Sequence, residues 1–329
     1  MTGIRIAVLA LAMVGMQGTA SAQKTLQGGD SEYPSRPIRM VAGWPAGGGS
    51  DLIARLVANH LSKGLGQPVV IDNRQGAGNS VASEIVANSP PNGYTLQFVN
   101  ANHTLNQFVY GKLPYDTEKD FAPISQVTTS ALVLVVSASF PAATLKELIA
   151  LAKAKPGALG AGTSGTSGSG AVTTDIFRLV SGMDFLVVPY KGGAPAMVGL
   201  LQGEVQFAIG TQATTMAFIK SGKLKVLATS SKTRLRHLPN VPTFTEHGLT
   251  GLDLGPWEGI IAPAQTPVPI IDRMYREVVK VLKLPEVVDH LAAQGIQAVG
   301  STPAEFASHI KQQLATFNRV FVGGKIQRQ

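Results

Sequence analysis

The 329-residue sequence contains no cysteine. This absence excludes disulfides, thiol nucleophiles and iron–sulfur ligation, and it makes a tetrahedral zinc site improbable. Aromatic residues are only 6% of the chain, too few for a base-stacking platform, and the lysines and arginines form no stripe that could track phosphates. We therefore expect no nucleic-acid partner. The formal charge of +8 indicates either long-range attraction of anions or a solubilising surface.

Long apolar runs are also rare, and the clearest one lies near the N-terminus. Arg5 precedes an apolar segment at 6–13, and Ala20-Ser21-Ala22 follows it, which is the three-part pattern of a secretory signal peptide. A membrane anchor is the alternative, but the segment is shorter than the roughly 20 residues that span a bilayer. We expect a signal peptide at 1–22, cleavage after Ala22 and an exported, soluble mature chain.

Short apolar runs rich in β-branched residues alternate with helical periodicity, which predicts an α/β fold with mostly parallel sheets. The chain length is typical of about two domains, at ~150 residues per domain. Strands are predicted at 38–42, 68–71, 94–100, 131–137, 186–190, 205–209 and 224–229. Amphipathic helices are predicted after Gly49 and over 271–282 and 306–321. Gly255-Pro256 indicates a crossing between two lobes.

Two glycine-rich stretches precede amphipathic helices, PAGGGSD at 45–51 and GTSGTSGSG at 162–170. The first lacks the last glycine of the dinucleotide motif GxGxxG. The second has Ala171-Val172 where a P-loop needs lysine and a hydroxyl residue, and none of its serines has the spacing of a nucleophile elbow. The remaining shared property is bare N–H groups at a helix start, where an anion such as a carboxylate can bind. Ordinary turns are the alternative interpretation.

Other polar residues give weaker signals. The six histidines show no pair at metal-ligand spacing, so we expect no metal and no cofactor. His103 follows a predicted strand in NANHT, and Thr211 and Gln212 follow another. Ligands of α/β proteins bind at such strand ends, so these residues are candidate ligand contacts. A solvent-exposed loop without ligand contact is the alternative interpretation. Trp257 is expected to pack at the crossing or to line the cleft. An exported hydrolase with a loop serine and His103 as base is the rival hypothesis.

Several longer motifs resemble the Bug (Bordetella uptake gene), or TctC-like, family of periplasmic solute-binding proteins that serve tripartite tricarboxylate transporters. The resemblance covers essentially the whole mature chain. The motifs are YPSRPIRMVAGWPAGGGSD at 33–51, GQPVVIDNRQGAGN at 66–79, PPNGYTL at 90–96, LPYDTEKDFAPIS at 113–125, VPYKGGAPAMVGLLQGEV at 188–205 and LPNVPTFTEHGL at 238–249.

The resemblance implies two α/β lobes joined by crossing strands, of the type II-like periplasmic binding protein kind. The expected bounds are 33–127 and 255–329 for lobe 1 and 128–254 for lobe 2. In the family, amides and hydroxyls of the two glycine loops hold a carboxylate. The corresponding candidates here are Ala46, Gly47, Gly48, Gly49, Ser50, Thr163, Ser164, Thr166, Ser167 and Ser169. The chain departs from many relatives at Gly210-Thr211-Gln212, where they carry an acidic residue.

We therefore expect a non-enzymatic, monomeric periplasmic protein that encloses a small carboxylate, in particular a dicarboxylate, by hinge closure. Asn102, His103, Thr211 and Gln212 are the candidates for specificity, with Trp257 a weaker one. The expected partner is the membrane part of a tripartite tricarboxylate transporter. A membrane sensor protein is the alternative partner.

Overall fold

The computed structural model describes residues 33–166 and 168–323. In chain order the strands are β1 (Ile38–Ala42), β2 (Val69–Asn73), β3 (Thr95–Asn100), β4 (Phe121–Ser130), β5 (Leu132–Ser137), β6 (Gly160–Thr163), β7 (Leu186–Pro189), β8 (Phe207–Thr211), β9 (Leu224–Thr229), β10 (Trp257–Pro263) and β11 (Ile296–Ala298). The α-helices are α1 (Gly49–Leu65), α2 (Ser80–Ala87), α3 (Asn102–Val109), α4 (Leu145–Ala154), α5 (Ser169–Ser181), α6 (Gly193–Gln202), α7 (Gln212–Lys220), α8 (Val268–Val281), α9 (Pro285–Ala293) and α10 (Pro303–Gly323).

The strands form two sheets, which define two α/β lobes. The first sheet has the order β11-β4-β10-β3-β1-β2, and the second has the order β7-β6-β8-β5-β9. In the first sheet β1 pairs in parallel with β2 and β3, while β10 lies antiparallel between β3 and β4. In the second sheet β6 pairs in parallel with β7 and β8, and β5 is antiparallel to both neighbours. The first sheet therefore contains two reversed strands, β10 and the edge strand β11, and the second contains one, β5.

All seven strands predicted from the sequence form, with ends shifted by no more than about two residues, as is usual for such boundaries. The sequence did not predict β4, β6, β10 or β11. β4 carries polar residues on most of its length and β6 reads GAGT, so neither shows an apolar run. Their burial comes from the neighbouring strands and helices, which local composition does not record.

The helices bury the apolar faces that their periodicity predicts. In α8 the side chains of Ile271, Met274 and Val278 are buried, and in α10 those of Phe306 and Ile310 are buried. The apolar core of α10 is continuous with that of α5, so one hydrophobic cluster extends across both lobes. Within the described residues, no helix is both long enough and apolar enough to cross a bilayer.

Two crossing segments join the lobes. Ser130 ends β4 in the first sheet, and after Ala131 the next residue, Leu132, pairs with Thr211 in the second. The return crossing lies beside it, because the Ser130 amide donates to the Pro256 carbonyl oxygen at 2.8 Å. A Cβ at Gly255 would overlap the carbonyl oxygen of Ser130, so glycine permits the close approach of the two crossing segments. The end of a strand in the first sheet therefore lies only one residue along the chain from the start of a strand in the second.

Candidate functional site

Three helices of the second lobe begin at one edge of its sheet. Because β6, β7 and β8 run in parallel, their carboxyl ends share that edge, and α5, α6 and α7 start there. None of the three helix starts has a side-chain capping hydrogen bond. The first N–H groups of a helix have no partner within it, so this edge presents several unsatisfied donors at the positive ends of three helix dipoles.

A cavity of about 270 Å³ lies at these helix starts. Its lining includes three hydroxyl residues predicted from the sequence, namely Ser164, Ser169 and Thr211. Gly193 and Thr214 complete the wall at the starts of α6 and α7. A Cβ at Gly193 would lie 2.6 Å from the Thr214 side chain, which explains the glycine. Free amides, hydroxyls and helix N-termini together form a receptor suited to an anion.

The first glycine loop lies at the corresponding edge of the first sheet, between β1 and α1. Its residues Ala46, Gly47 and Gly49 are exposed, and Gly48 and Ser50 are partly exposed. The buried carboxylate of Asp51 anchors the loop. It accepts hydrogen bonds from the Gly47 amide at 2.8 Å and from Asn73 Nδ2 at 2.8 Å. The carboxylate of Asp51 thus fixes the loop, and the Gly48 amide donates to the Pro45 carbonyl oxygen at 3.3 Å. The Gly49 amide, at the start of α1, has no partner within the helix.

Asp51 stays charged although it is buried. Burial alone would raise its pKa, but hydrogen bonds from Arg55, the Gly47 amide and Asn73, together with the Arg55 charge, lower the pKa below its ordinary value. Arg55 Nε lies 2.8 Å from Asp51 Oδ2, one helical turn along α1. The site therefore contains a fixed negative charge, but this charge is already neutralised by its own arginine.

Glu258, at the start of β10, reaches the same loop from the crossing strand. Its Oε1 accepts a hydrogen bond from Ser50 Oγ at 3.1 Å, and its Oε2 contacts Thr128 Oγ1 at short range. Burial raises the pKa of Glu258, and the hydrogen bonds from Thr128 and Ser50 oppose the rise only in part. The hydroxyl of Ser50 is thereby committed to Glu258.

The remaining second-loop candidates have different surroundings. Thr163 is buried, and its Oγ1 donates to the Gly165 carbonyl oxygen at 2.8 Å, so it shapes the loop from within. Thr166 is exposed. Ser167 lies outside the described residues. Across the lobes, Ser169 shares a small pocket with Ala101 and therefore lies close to the loop that follows β3.

The specificity candidates after β3 do not gather at the cavity. Asn102 is partly exposed, and its amide donates to Asn100 Oδ1 at 3.1 Å. His103 is fully buried and packs edge-on against Phe121 with ring centroids 5.0 Å apart. Burial lowers the pKa of His103 to about 4, so it is neutral at physiological pH. We accordingly leave His103 out of the proposed site.

Gln212 also turns away from the cavity at the helix starts. Its Oε1 lies 2.5 Å from His237 Nε2, and its Nε2 lies 3.5 Å from the Ala131 carbonyl oxygen. A Cβ at Gly295 of the first lobe would come 2.8 Å from Gln212 Cβ, so the two lobes touch here. Trp257 is buried beside this region, and its Nε1 donates to Gln313 Oε1 at 2.8 Å.

The sequence analysis missed two parts of the site. Gly192 is the N-cap of α6, and Gly193, its first residue, lines the cavity. The YKGGAP sequence there joins a strand to a helix, as the two glycine loops do. That repetition could have identified them. Glu258 had no such signal, because only the pairing of β10 with β3 and β4 brings it to Ser50. In the described ranges 33–166 and 168–323, no cluster of three or more acidic or histidine side chains could hold a metal.

Comparison with known proteins identifies the family of this chain. The profile described as tripartite tricarboxylate transporter family receptor matches residues 53–322. Protein BugT of Bordetella pertussis is 35% identical over 284 residues, covering 86% of this chain and 87% of BugT.

Two solved structures from Rhodopseudomonas palustris are similar over nearly their whole length. A protein described with adipate is 29% identical, with a TM-score of 0.73 over 89% of this chain and 99% of that one. MatC, described with bound malate, is 27% identical, with a TM-score of 0.71 over 88% of this chain and 100% of that one. The profile match covers far more than half of the chain. The protein therefore belongs to the tripartite tricarboxylate transporter family of receptors.

Proposed function

We propose that this protein is a periplasmic receptor that captures a small carboxylate between its two lobes. The observation that carries the proposal is the cavity of about 270 Å³ at the starts of α5, α6 and α7, none of which has a side-chain cap. A carboxylate can accept about four hydrogen bonds, and this edge offers that many amides and hydroxyls without an arginine. Adipate and malate are both dicarboxylates, so we infer the same ligand class here.

The first glycine loop would complete the receptor from the other lobe. In this loop the Gly47 amide donates to Asp51 and the Gly48 amide to the Pro45 carbonyl oxygen at 3.3 Å, so the amides of Ala46 and Gly49 are the ones available to a ligand. Rotation about the crossings would bring the loops together around the ligand and expel water. We propose the division into 33–127 with 255–329 and 128–254, with the first bound moved to Ser130 because β4 runs to that residue in the first sheet.

The test compares two substitutions at Ser169, the first residue of α5. Ser169→Ala removes the hydroxyl but keeps the backbone N–H. Ser169→Pro removes both and preserves the helix, because proline is tolerated at this position. A hydrogen bond to a charged group contributes about 1.5–3 kcal/mol, so the proline variant should bind at least roughly tenfold more weakly than the alanine variant.

The ligand is found first by thermal shift against mono-, di- and tricarboxylates. Saturation at a hundredfold excess over Kd should stabilise the protein by about 2.7 kcal/mol. Calorimetric titration of the wild type and the two Ser169 variants then gives the dissociation constants. Ser221→Ala, at the far end of α7, is the matched hydroxyl control. Equal affinities for the alanine and proline variants would remove the α5 amide from the site.

The proposed partner is the membrane part of a tripartite tricarboxylate transporter. A deletion strain should lose uptake of the labelled ligand and regain it with the wild-type chain but not with Ser169→Pro. Export would use the segment at 1–22, and sequencing the N-terminus of the mature protein should then begin at Gln23. Uptake that persists in the deletion strain would favour a sensor role over transport.

A further inference from the structure

A second and larger cavity lies at the crossing segments, with Ser130, Ala131 and Gly255 in its wall. Its volume is about 460 Å³, and neither glycine loop lines it. It is bordered by β11, the edge strand next to β4, and by the segment that begins at Ser230, directly after β9. We call it the hinge groove and define it by Lys232, Arg236, Asp253, Gln297 and His309. Both lobes and both crossings contribute to its walls.

Two cations of the hinge groove lack an acidic partner. Arg234 is neutralised by Glu246, with Nη2 2.6 Å from Oε2. Lys232 and Arg236 are exposed and form no ion pair with any residue in the described part of the chain. Two positive charges without an ion-pair partner, both from one short segment, therefore border a groove of ordinary ligand size.

Further polar donors and acceptors line the rest of the groove. His309 Nε2 is buried and has no hydrogen-bond partner among residues 33–166 and 168–323. Burial and the charge of Lys232 lower the pKa of His309 to about 4, so the ring is neutral. Gln297 contributes an amide, and Asp253 contributes the groove's acidic side chain. Carboxylate and amide oxygens would accept hydrogen bonds from hydroxyl groups of a ligand.

We propose that the hinge groove binds a small hydroxyl-bearing phosphate monoester. A phosphate monoester carries about −1.5 to −2 charges near neutral pH, which matches the two free cations. Its phosphate would lie between Lys232 and Arg236, and its hydroxyls would reach Asp253 and Gln297. The unpartnered His309 Nε2 would complete the polar wall. This site is separate from the proposed carboxylate receptor, because the two cavities share no lining residue.

The test is calorimetric titration with glycerol 3-phosphate and, separately, with inorganic phosphate. The double variant Lys232→Gln with Arg236→Gln should weaken binding of both probes by at least about tenfold, because each lost ionic hydrogen bond contributes more than 1 kcal/mol. The matched control is Lys146→Gln with Lys153→Gln, which removes the same charge from exposed positions on α4. The control should bind as the wild type does, and so should Ser169→Pro.

Equal weakening in the two double variants would reduce the effect to general charge attraction and overturn the proposal. Loss of binding in Ser169→Pro would instead place the phosphate at the glycine loops. No binding of either probe at millimolar concentration would also refute the site. Nitrogen-15 NMR of the wild-type histidine rings keeps the test valid if the double variant fails to fold. Glycerol 3-phosphate should shift the His309 signals, and unchanged signals would contradict the proposal.

Discussion

His103 provides a direct test of whether the loop after β3 binds ligand or packs in the core. The sequence analysis placed it among the ligand contacts, whereas the structure buries it completely against Phe121. Its two ring nitrogens make no hydrogen bond within the described residues. We therefore expect His103→Leu to change the pH dependence of stability and to leave the carboxylate affinity unchanged.

The sign and the size follow from the pKa values. The folded pKa of His103 is about 4, against an ordinary value of 6.5, so between these values the unfolded chain binds a proton that the native state does not. The neutral ring therefore contributes its full stability at pH values above the ordinary pKa. That contribution is lost as the pH falls toward the folded pKa. The full slope of about 1.4 kcal/mol per pH unit applies only between the two pKa values. Lowering the pH from about 7 to about 4.5 should therefore cost about 2 kcal/mol.

The assay is urea unfolding of wild type and His103→Leu at both pH values. The wild type should lose about 2 kcal/mol more than the variant on acidification. His247→Gln replaces an exposed histidine and should keep the full wild-type loss. An equal acid loss in wild type and His103→Leu would refute the burial argument. A folded His103→Leu protein that no longer binds carboxylate would restore His103 as a ligand contact.

Three further substitutions probe the first glycine loop. Asp51→Asn removes the charged acceptor of the Gly47 amide, and urea unfolding should show a loss of about 1–3 kcal/mol; an unchanged midpoint would contradict the anchoring role. Burial raises the pKa of Glu258, so the native state retains a proton that the unfolded chain loses. As the pH rises above the ordinary carboxyl range, wild-type stability should therefore fall relative to Glu258→Gln, and parallel curves would refute this. A Cβ at position 43 would overlap the side chain of Asn79, so Gly43→Ala should lower thermal stability by about 1–3 kcal/mol, whereas an unaltered melting temperature would show that Asn79 moves freely.

The predictable part of the site is the part encoded by neighbouring residues. The glycine loops could be read because bare backbone ahead of an amphipathic helix is a local pattern, and Ser164, Ser169 and Thr211 do line one cavity. His103 and Gln212 also follow strands, and the same rule selected them. In the structure, however, His103 packs in the core and Gln212 contacts His237. The position of a residue after a strand does not specify which way its side chain points.

The sequence by itself determined the alternation of strands and helices, the helix faces that are buried, and the two glycine loops. These features depend on residue spacing within one turn or one strand, so they are readable without knowing the fold. Only the tertiary structure decided that Glu258 reaches Ser50, that three helix starts share a cavity, and that Lys232 and Arg236 border a groove. Those arrangements depend on strand order and on the two crossings, which join residues far apart in the chain.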